Sequence, residues 1–256
     1  MFAASVENLS TPSLLLLVIA ALVASAARGF SGFGGALIFM PVASAAIGPR
    51  SAAPVFLIID GITAAALIPR AWRHSEKREV GTMAAGSLLG IPIGAAMLAR
   101  ADGLLIRWAI AFLVGLLLVL LMSGWRFRGR PRRAVCFGIG GLAGLFSGAA
   151  QVGGPPVVAY WLGRSRSGEH IRANIILYFA ASTVIAAASY AAAGILTIAV
   201  IGVALITGPV YGAGLYLGTR LFGRASEAMF RRICYALIAA AVVLSLPALD
   251  SVPRPR

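Results

Sequence analysis

The chain has 256 residues, a formal net charge of +14 at pH 7, and 60% hydrophobic against 12% charged residues. A soluble domain carries about 25% charged residues, so this composition excludes a water-covered globular protein and indicates an integral membrane protein. Because the apolar segments are long and lack the period-2 alternation of barrel strands, the predicted fold is an all-α polytopic membrane protein. The segments are 13–28, 35–48, 52–69, 82–99, 103–123, 134–149, 154–163, 173–193, 195–218 and 228–247.

A glycine-rich break, "ARGFSGFGGALIFMP" (27–41), follows the first apolar segment. Irregular backbone at membrane depth is tolerated only inside protein or beside a wet cavity. The helix after the break begins with unpaired N–H groups and a partial positive charge, which favour an anion. Two alternatives stay open, since glycines also permit close helix packing and an arginine can extend to the membrane interface. The predicted anion-binding residues here are Arg28, Gly29, Ser31, Gly32, Phe33, Gly34 and Gly35.

Asp60, in "PVFLIIDGITAAAL", is the only acidic residue well inside an apolar segment. Carboxylates inside membranes often serve as proton relays or ion ligands, so we predict a coupling role. The alternatives are an ion pair with Arg28 or Arg50, or a capped break at Gly61.

A second break, "AQVGGPPVVAY" (150–160), aligns with "SGFGGALIFMP" (31–41) at a shift of 119 residues. Further on, "GLYLGTR" (214–220) resembles "GAAMLAR" (94–100), and the counterpart of Asp60 is about Ser182. The chain is therefore predicted to contain two repeats, 1–124 and 134–256, joined by a basic cytoplasmic linker loop, 125–133. Proline is tolerated in the first turn of a helix, so a helix is expected to begin beside Pro155. The predicted site residues of this half are Gln151, Val152, Gly153, Gly154 and Pro155.

Asn174 and Tyr178 are spaced i, i+4 on one helical face. They are predicted to line the transport path, although hydrogen bonding between helices explains them equally well. His74, His170, Cys136 and Cys234 have no metal-ligand spacing, and no nucleophile lies near a base in the sequence. We therefore expect no metal, no cofactor and no enzymatic activity.

The positive charge lies in short loops, which indicates membrane orientation and not a nucleic-acid partner. If each break returns the chain to the side it entered, most of the 22 Lys and Arg residues fall on one face. The loops 69–80, 125–133, 163–172 and 220–232 then face the cytoplasm, with both termini outside a bacterial inner membrane. Each half crosses an odd number of times, so the halves are inverted repeats, a recurrent transporter plan.

At "GFSGFGGALIFMP", "GLFSGAAQVGGPPVVAYW" and the duplicated layout between them, the chain resembles the sulfite exporter TauE/SafE family over about residues 12 to 248. The resemblance implies a duplicated helical carrier of sulfur-containing anions such as sulfite or organosulfonates. With it we predict an alternating-access carrier whose partners are a small anion, the lipid bilayer and a coupled proton on Asp60. Phe33 or Val152 would contact the sulfur. An anion channel and a carrier of a non-sulfur organic anion remain alternatives, and the sequence leaves oligomeric state and direction open.

Overall fold

A computed structural model of the chain describes residues 11–31, 34–125, 132–163, 168–221 and 227–248. The described residues form eleven α-helices and no strand, which confirms the predicted helical membrane fold. In chain order the helices are α1 (Thr11–Ser31), α2 (Gly35–Ile47), α3 (Pro49–Ala65), α4 (Ile68–His74), α5 (Lys77–Arg100), α6 (Gly103–Met122), α7 (Arg133–Ala150), α8 (Gly154–Leu162), α9 (Gly168–Ala192), α10 (Ile198–Leu221) and α11 (Glu227–Ser245).

Six of the described helices are long and apolar enough to cross a bilayer: α1, α5, α6, α7, α9 and α10. A seventh candidate combines α3 with α4, which are bent by 66° at the short break between them. Many large apolar side chains point outward; Phe112 on α6, for example, is 76% exposed. Lipid tails are as apolar as such side chains, so this surface suits a bilayer.

The helices that follow the two glycine-rich breaks are short. α2 has 13 residues and α8 has 9, which correspond to about 20 Å and about 14 Å of helix. A bilayer core is about 30 Å thick, so neither helix crosses it alone. After α2 the chain turns at Gly48, whose φ of 77° is left-handed, and Pro49 begins α3.

Two pairs of parallel helices join the predicted halves. Glycines of α5 lie directly on the backbone of α7: a Cβ on Gly90 would lie 2.0 Å from the Gly141 carbonyl oxygen. Gly86, Gly90 and Gly94 contact Phe137, Gly141 and Leu145 in that order. Because the contacts follow the same sequence direction in both helices, α5 and α7 run parallel and begin on the same side. α1 and α10 form a matching parallel pair, in which Gly218 lies on Ala26. Each pair takes one helix from each half of the chain.

The short helix α4 lies inside a segment that the sequence assigns to a basic loop. Pro69 marks the end of an apolar run, but it lies in the first turn of α4, where its missing N–H costs nothing. The exposed side chain of Arg70 pairs with Glu169 on α9 at 3.4 Å. α4 therefore lies against the first turn of α9.

Candidate functional site

The two glycine-rich breaks meet at one cavity of about 60 Å³. This volume admits a few water molecules or a small anion. Its walls come from α1, α2 and α3 of the first half and α7, α8 and α9 of the second. The lining residues are Arg28, Gly34, Gly35, Ala36, Leu37, Phe56, Asp60, Ser147, Gln151, Val152, Gly154, Pro155, Phe179, Ser182 and Thr183.

Two helix starts border this cavity. α2 begins at Gly35 after Gly34, whose φ of 94° favours glycine, and α8 begins at Gly154. The first N–H groups of a helix have no partner within it and carry partial positive charge. Pro155 and the proline after it lack an N–H, so α8 presents fewer donors than α2. The stronger anion-attracting helix end is therefore that of the first half.

Arg28 and Asp60 form an ion pair at the cavity wall. Each side chain is only 18% exposed. Tyr211 of α10 donates a hydrogen bond to Asp60 Oδ1 at 2.6 Å. Arg28 is thus the partner of Asp60 among the alternatives that the sequence left open, while Arg50 donates to carbonyl groups at the C-terminus of α5, at 3.2 and 2.9 Å. A guanidinium with a planar fork of donors suits an oxyanion, but an anion must share it with the carboxylate.

Gln151 ends α7 in a left-handed conformation, with φ of 57°. Its Nε2 donates to the hydroxyl of Tyr190 at 3.1 Å, and that hydroxyl lies 2.8 Å from the carbonyl oxygen of Gly148. Tyr190 is fully buried. The side chain of Gln151 is therefore anchored on one side while it lines the cavity on the other.

Two serines of the second half occupy the places of the charged pair. At the repeat shift of 119 residues Ser147 corresponds to Arg28, and Ser182 is the approximate counterpart of Asp60. Both serines line the same cavity. Ser182 Oγ is buried without a well-formed hydrogen bond to any described residue, and the nearby Tyr178 hydroxyl is only a weak hydrogen-bond partner. Ser182 therefore has hydrogen-bonding capacity to offer a ligand.

Some predicted site residues lie elsewhere. Gly29 packs on α10, where a Cβ would lie 2.3 Å from the Leu215 carbonyl oxygen, and a Cβ on Gly153 would lie 2.3 Å from the Ala143 carbonyl oxygen. Neither lines the cavity; both allow close backbone contact beside it. The side chain of Ser31 and the residues Gly32 and Phe33 lie outside the described part of the chain.

Asn174 and Tyr178 hold helices together in this structure. The Glu76 backbone N–H donates to Asn174 Oδ1 at 2.7 Å, and the hydroxyls of Tyr178 and Ser87 are 2.9 Å apart. Hydrogen bonding between helices was one of the two interpretations the sequence allowed, and a role in the path stays a prediction.

Several cavity residues were not predicted from the sequence. Phe56, Phe179 and Thr183 look like ordinary apolar-helix residues. Tyr211, which contacts the site through its hydrogen bond to Asp60, is distant in sequence. Ser147 carried a usable signal, because the repeat alignment places it opposite Arg28. Within the described ranges no three His, Cys, Asp or Glu side chains gather in a way that could hold a metal ion.

The chain is similar over most of its length to one family of membrane exporters. The model of the family described as sulfite exporter TauE/SafE matches residues 17–245. A protein of Cupriavidus necator described as "Probable sulfite/organosulfonate exporter TauE" is 29% identical over 234 residues, covering 86% of this chain and 89% of that protein. No solved structure matches the chain significantly.

Proposed function

The chain belongs to the sulfite exporter TauE/SafE family of membrane transporters, which are not enzymes, and from this premise we propose that it is a secondary carrier of a small sulfur-containing anion. The substrate class, sulfite or an organosulfonate, follows the name of the Cupriavidus relative. The membrane is the bacterial inner membrane, with both termini outside according to the distribution of basic loops.

The observation that carries the proposal is the cavity between the two breaks. It combines two helix starts with the partly buried guanidinium of Arg28. Helix N-termini and arginine are the groups that bind oxyanions in proteins. The N–H groups that begin α2, the Arg28 fork and the Ser182 hydroxyl would replace the hydration of the anion. Val152 and Phe179 supply apolar contacts for sulfur or a carbon substituent.

Alternating access rests on inverted repeats at 1–124 and 134–256, joined by the linker 125–133. The two parallel pairs, α1 with α10 and α5 with α7, are equivalent under the repeat correspondence, which supports this plan. In such carriers the halves rock around a site formed by broken helices. Both breaks line the cavity, which supports this assignment of the site.

A proton on Asp60 couples the transport cycle to a pH gradient in this scheme. Ionised Asp60 neutralises much of the positive charge of Arg28 in their ion pair. When Asp60 is protonated, this neutralisation is lost and the guanidinium attracts an incoming anion more strongly. Anion and proton would then load together. The alternative of an anion channel is less well supported, because a channel needs a continuous wet path and this cavity is small. A carrier of a non-sulfur organic anion would use the same groups.

The test is uptake by proteoliposomes containing Arg28→Ala, with Arg100→Ala as the matched control. Arg100 is an exposed cation outside the cavity. We expect Arg28→Ala to abolish saturable anion uptake while the protein still inserts, and the control to keep it. Unchanged uptake by Arg28→Ala would refute the role of Arg28. Asp60→Asn should lose the response to a pH gradient, and a retained response would remove Asp60 from the coupling scheme.

A further inference from the structure

A second, larger cavity of about 430 Å³ opens on the side where the parallel helices α5 and α7 begin. We call it the basic vestibule. Four cationic side chains line it, against two carboxylates. Its lining residues are Glu76, Lys77, Arg78, Glu79, Thr82, Arg132, Arg133, Cys136 and Tyr160.

The charge of the vestibule favours anions. One of its carboxylates, Glu79, accepts a hydrogen bond from the Tyr160 hydroxyl at 2.7 Å, whereas the lining residues Arg132 and Arg133 are exposed. The N-termini of α5 and α7 add partial positive charge on the same side. A concave surface lined by one sign of charge concentrates ions of the opposite sign.

A row of aromatic rings connects this vestibule with the central cavity. Tyr160 lines the vestibule and Phe179 lines the central cavity, with Trp161 and Tyr178 between them. Successive centroids are 6.1, 5.9 and 5.5 Å apart in edge-to-face contacts. Helix α8 makes the same connection, since Gly154 borders one cavity and Tyr160 the other. The six helical steps from Gly154 to Tyr160 correspond to a rise of about 9 Å.

The aromatic row leaves a polar group unsatisfied. Trp161 is 1% exposed, and its indole N–H has no hydrogen-bond partner among the described residues. A buried donor without a partner destabilises the packing around it. A rearrangement of the aromatic row that gives this N–H a hydrogen-bond partner would therefore recover part of the lost stability.

We propose that the basic vestibule is a binding antechamber for small oxyanions, through which the substrate reaches the central cavity, and that the aromatic row is the barrier closed in this structure. The inference rests on the proposed transport function for the identity of the anion. The capture of anions by the vestibule follows from its own charge and can be tested without transport.

The first test measures the vestibule directly, with Thr82→Cys in a background carrying Cys136→Ser and Cys234→Ser. Thr82 lines the vestibule and is partly exposed. Its labelling rate is compared between an anionic sulfonatoethyl and a cationic trimethylammonioethyl methanethiosulfonate. We expect the anionic-to-cationic rate ratio to exceed that of a small thiol in solution by about tenfold at low salt, and to collapse in ~1 M salt.

Two pairs of charge-removing substitutions test whether the vestibule arginines cause the preference for the anionic reagent. Arg132→Gln with Arg133→Gln should lower the ratio by about fivefold. Arg70→Gln with Arg73→Gln removes the same charge from nearby α4 and should change it less than about twofold. Equal effects of the two pairs, or a Thr82→Cys thiol that neither reagent labels in folded protein, would overturn the proposal.

Transport supplies the second test. With anion presented on the vestibule side, the Arg132→Gln and Arg133→Gln protein should need about fivefold more anion for half-maximal rate, with the maximal rate unchanged. Presentation from the opposite side should show no such shift, and equal shifts from both sides would contradict the antechamber. If the unaltered protein transports no sulfur anion, the proposed function is wrong. The labelling ratio would still test whether the vestibule attracts anions.

Discussion

Breaking the Arg28–Asp60 pair one partner at a time should destabilise the protein more than removing both partners together. Asp60→Asn leaves a partly buried guanidinium without its counter-charge, and Arg28→Gln leaves a partly buried carboxylate. Removing one partner of a fully buried pair costs about 3–5 kcal/mol. Because each side chain is 18% exposed at a cavity that admits water, we expect about 2–3 kcal/mol for each single variant.

The double variant removes both charges and keeps two amides that can bond to each other. Replacement of a whole buried pair by neutral groups is often close to neutral, and Asn at position 60 still offers an acceptor to Tyr211. We therefore expect the double variant within about 1 kcal/mol of the original protein, which gives a coupling energy of at least about 3 kcal/mol.

The assay is the apparent melting temperature in detergent, followed by tryptophan fluorescence. A loss of 2–3 kcal/mol corresponds to about 5–10 °C for a domain of this size. The exposed pair Arg70–Glu169, with side chains 83% and 54% exposed, is the control, and its cycle should give less than about 1 kcal/mol. Additive losses at Arg28 and Asp60 would refute the pairing.

Three further predictions concern the neighbourhood of the cavity. Gly153→Ala should abolish transport, because its Cβ would lie 2.3 Å from the Ala143 carbonyl oxygen. Gly154→Ala, whose Cβ would lie 3.7 Å from the Phe179 ring, should retain most uptake. Similar uptake by both variants would contradict the packing. Ser182→Ala should raise the anion concentration for half-maximal uptake several-fold. Ser44→Ala removes a buried hydroxyl that does not line the cavity, so it should leave this concentration unchanged. If neither variant shifts this concentration, Ser182 is not part of the site. Tyr190→Phe should lower stability by about 1 kcal/mol through the lost bonds to Gln151 and Gly148, and an unchanged melting temperature would exclude that anchor.

Much of the fold could be predicted from hydropathy, since each predicted apolar segment corresponds to a helix. The 16-residue interval 134–149, for example, is α7, Arg133–Ala150. The bend between α3 and α4 could not be predicted, because Pro69 ends one helix and begins another equally well. The fit of Gly90 against Gly141 depends on which helices meet, and periodicity within one helix does not contain that information.

The candidate site was predictable where the chain departs from ordinary apolar helix. The two glycine-rich breaks and the isolated charges Arg28 and Asp60 are such departures, and the structure brings them to one cavity. Phe56 and Phe179 differ in no visible way from other apolar residues, so only the packing identifies them. The pairing of Arg28 with Asp60 was one of several alternatives, because a sequence does not say which charges within reach of each other meet.

Counterflow in proteoliposomes distinguishes a carrier of sulfur anions from a channel. Vesicles are preloaded with unlabelled anion, and uptake of labelled sulfite, thiosulfate, a small sulfonate, sulfate and chloride is measured in parallel. We expect transient accumulation of a sulfur oxyanion or sulfonate above equilibrium, which saturates and is lost in Arg28→Ala. Uptake that never exceeds equilibrium and does not saturate would indicate a channel, and no uptake of any of the five by folded, inserted protein would contradict the proposed substrate class.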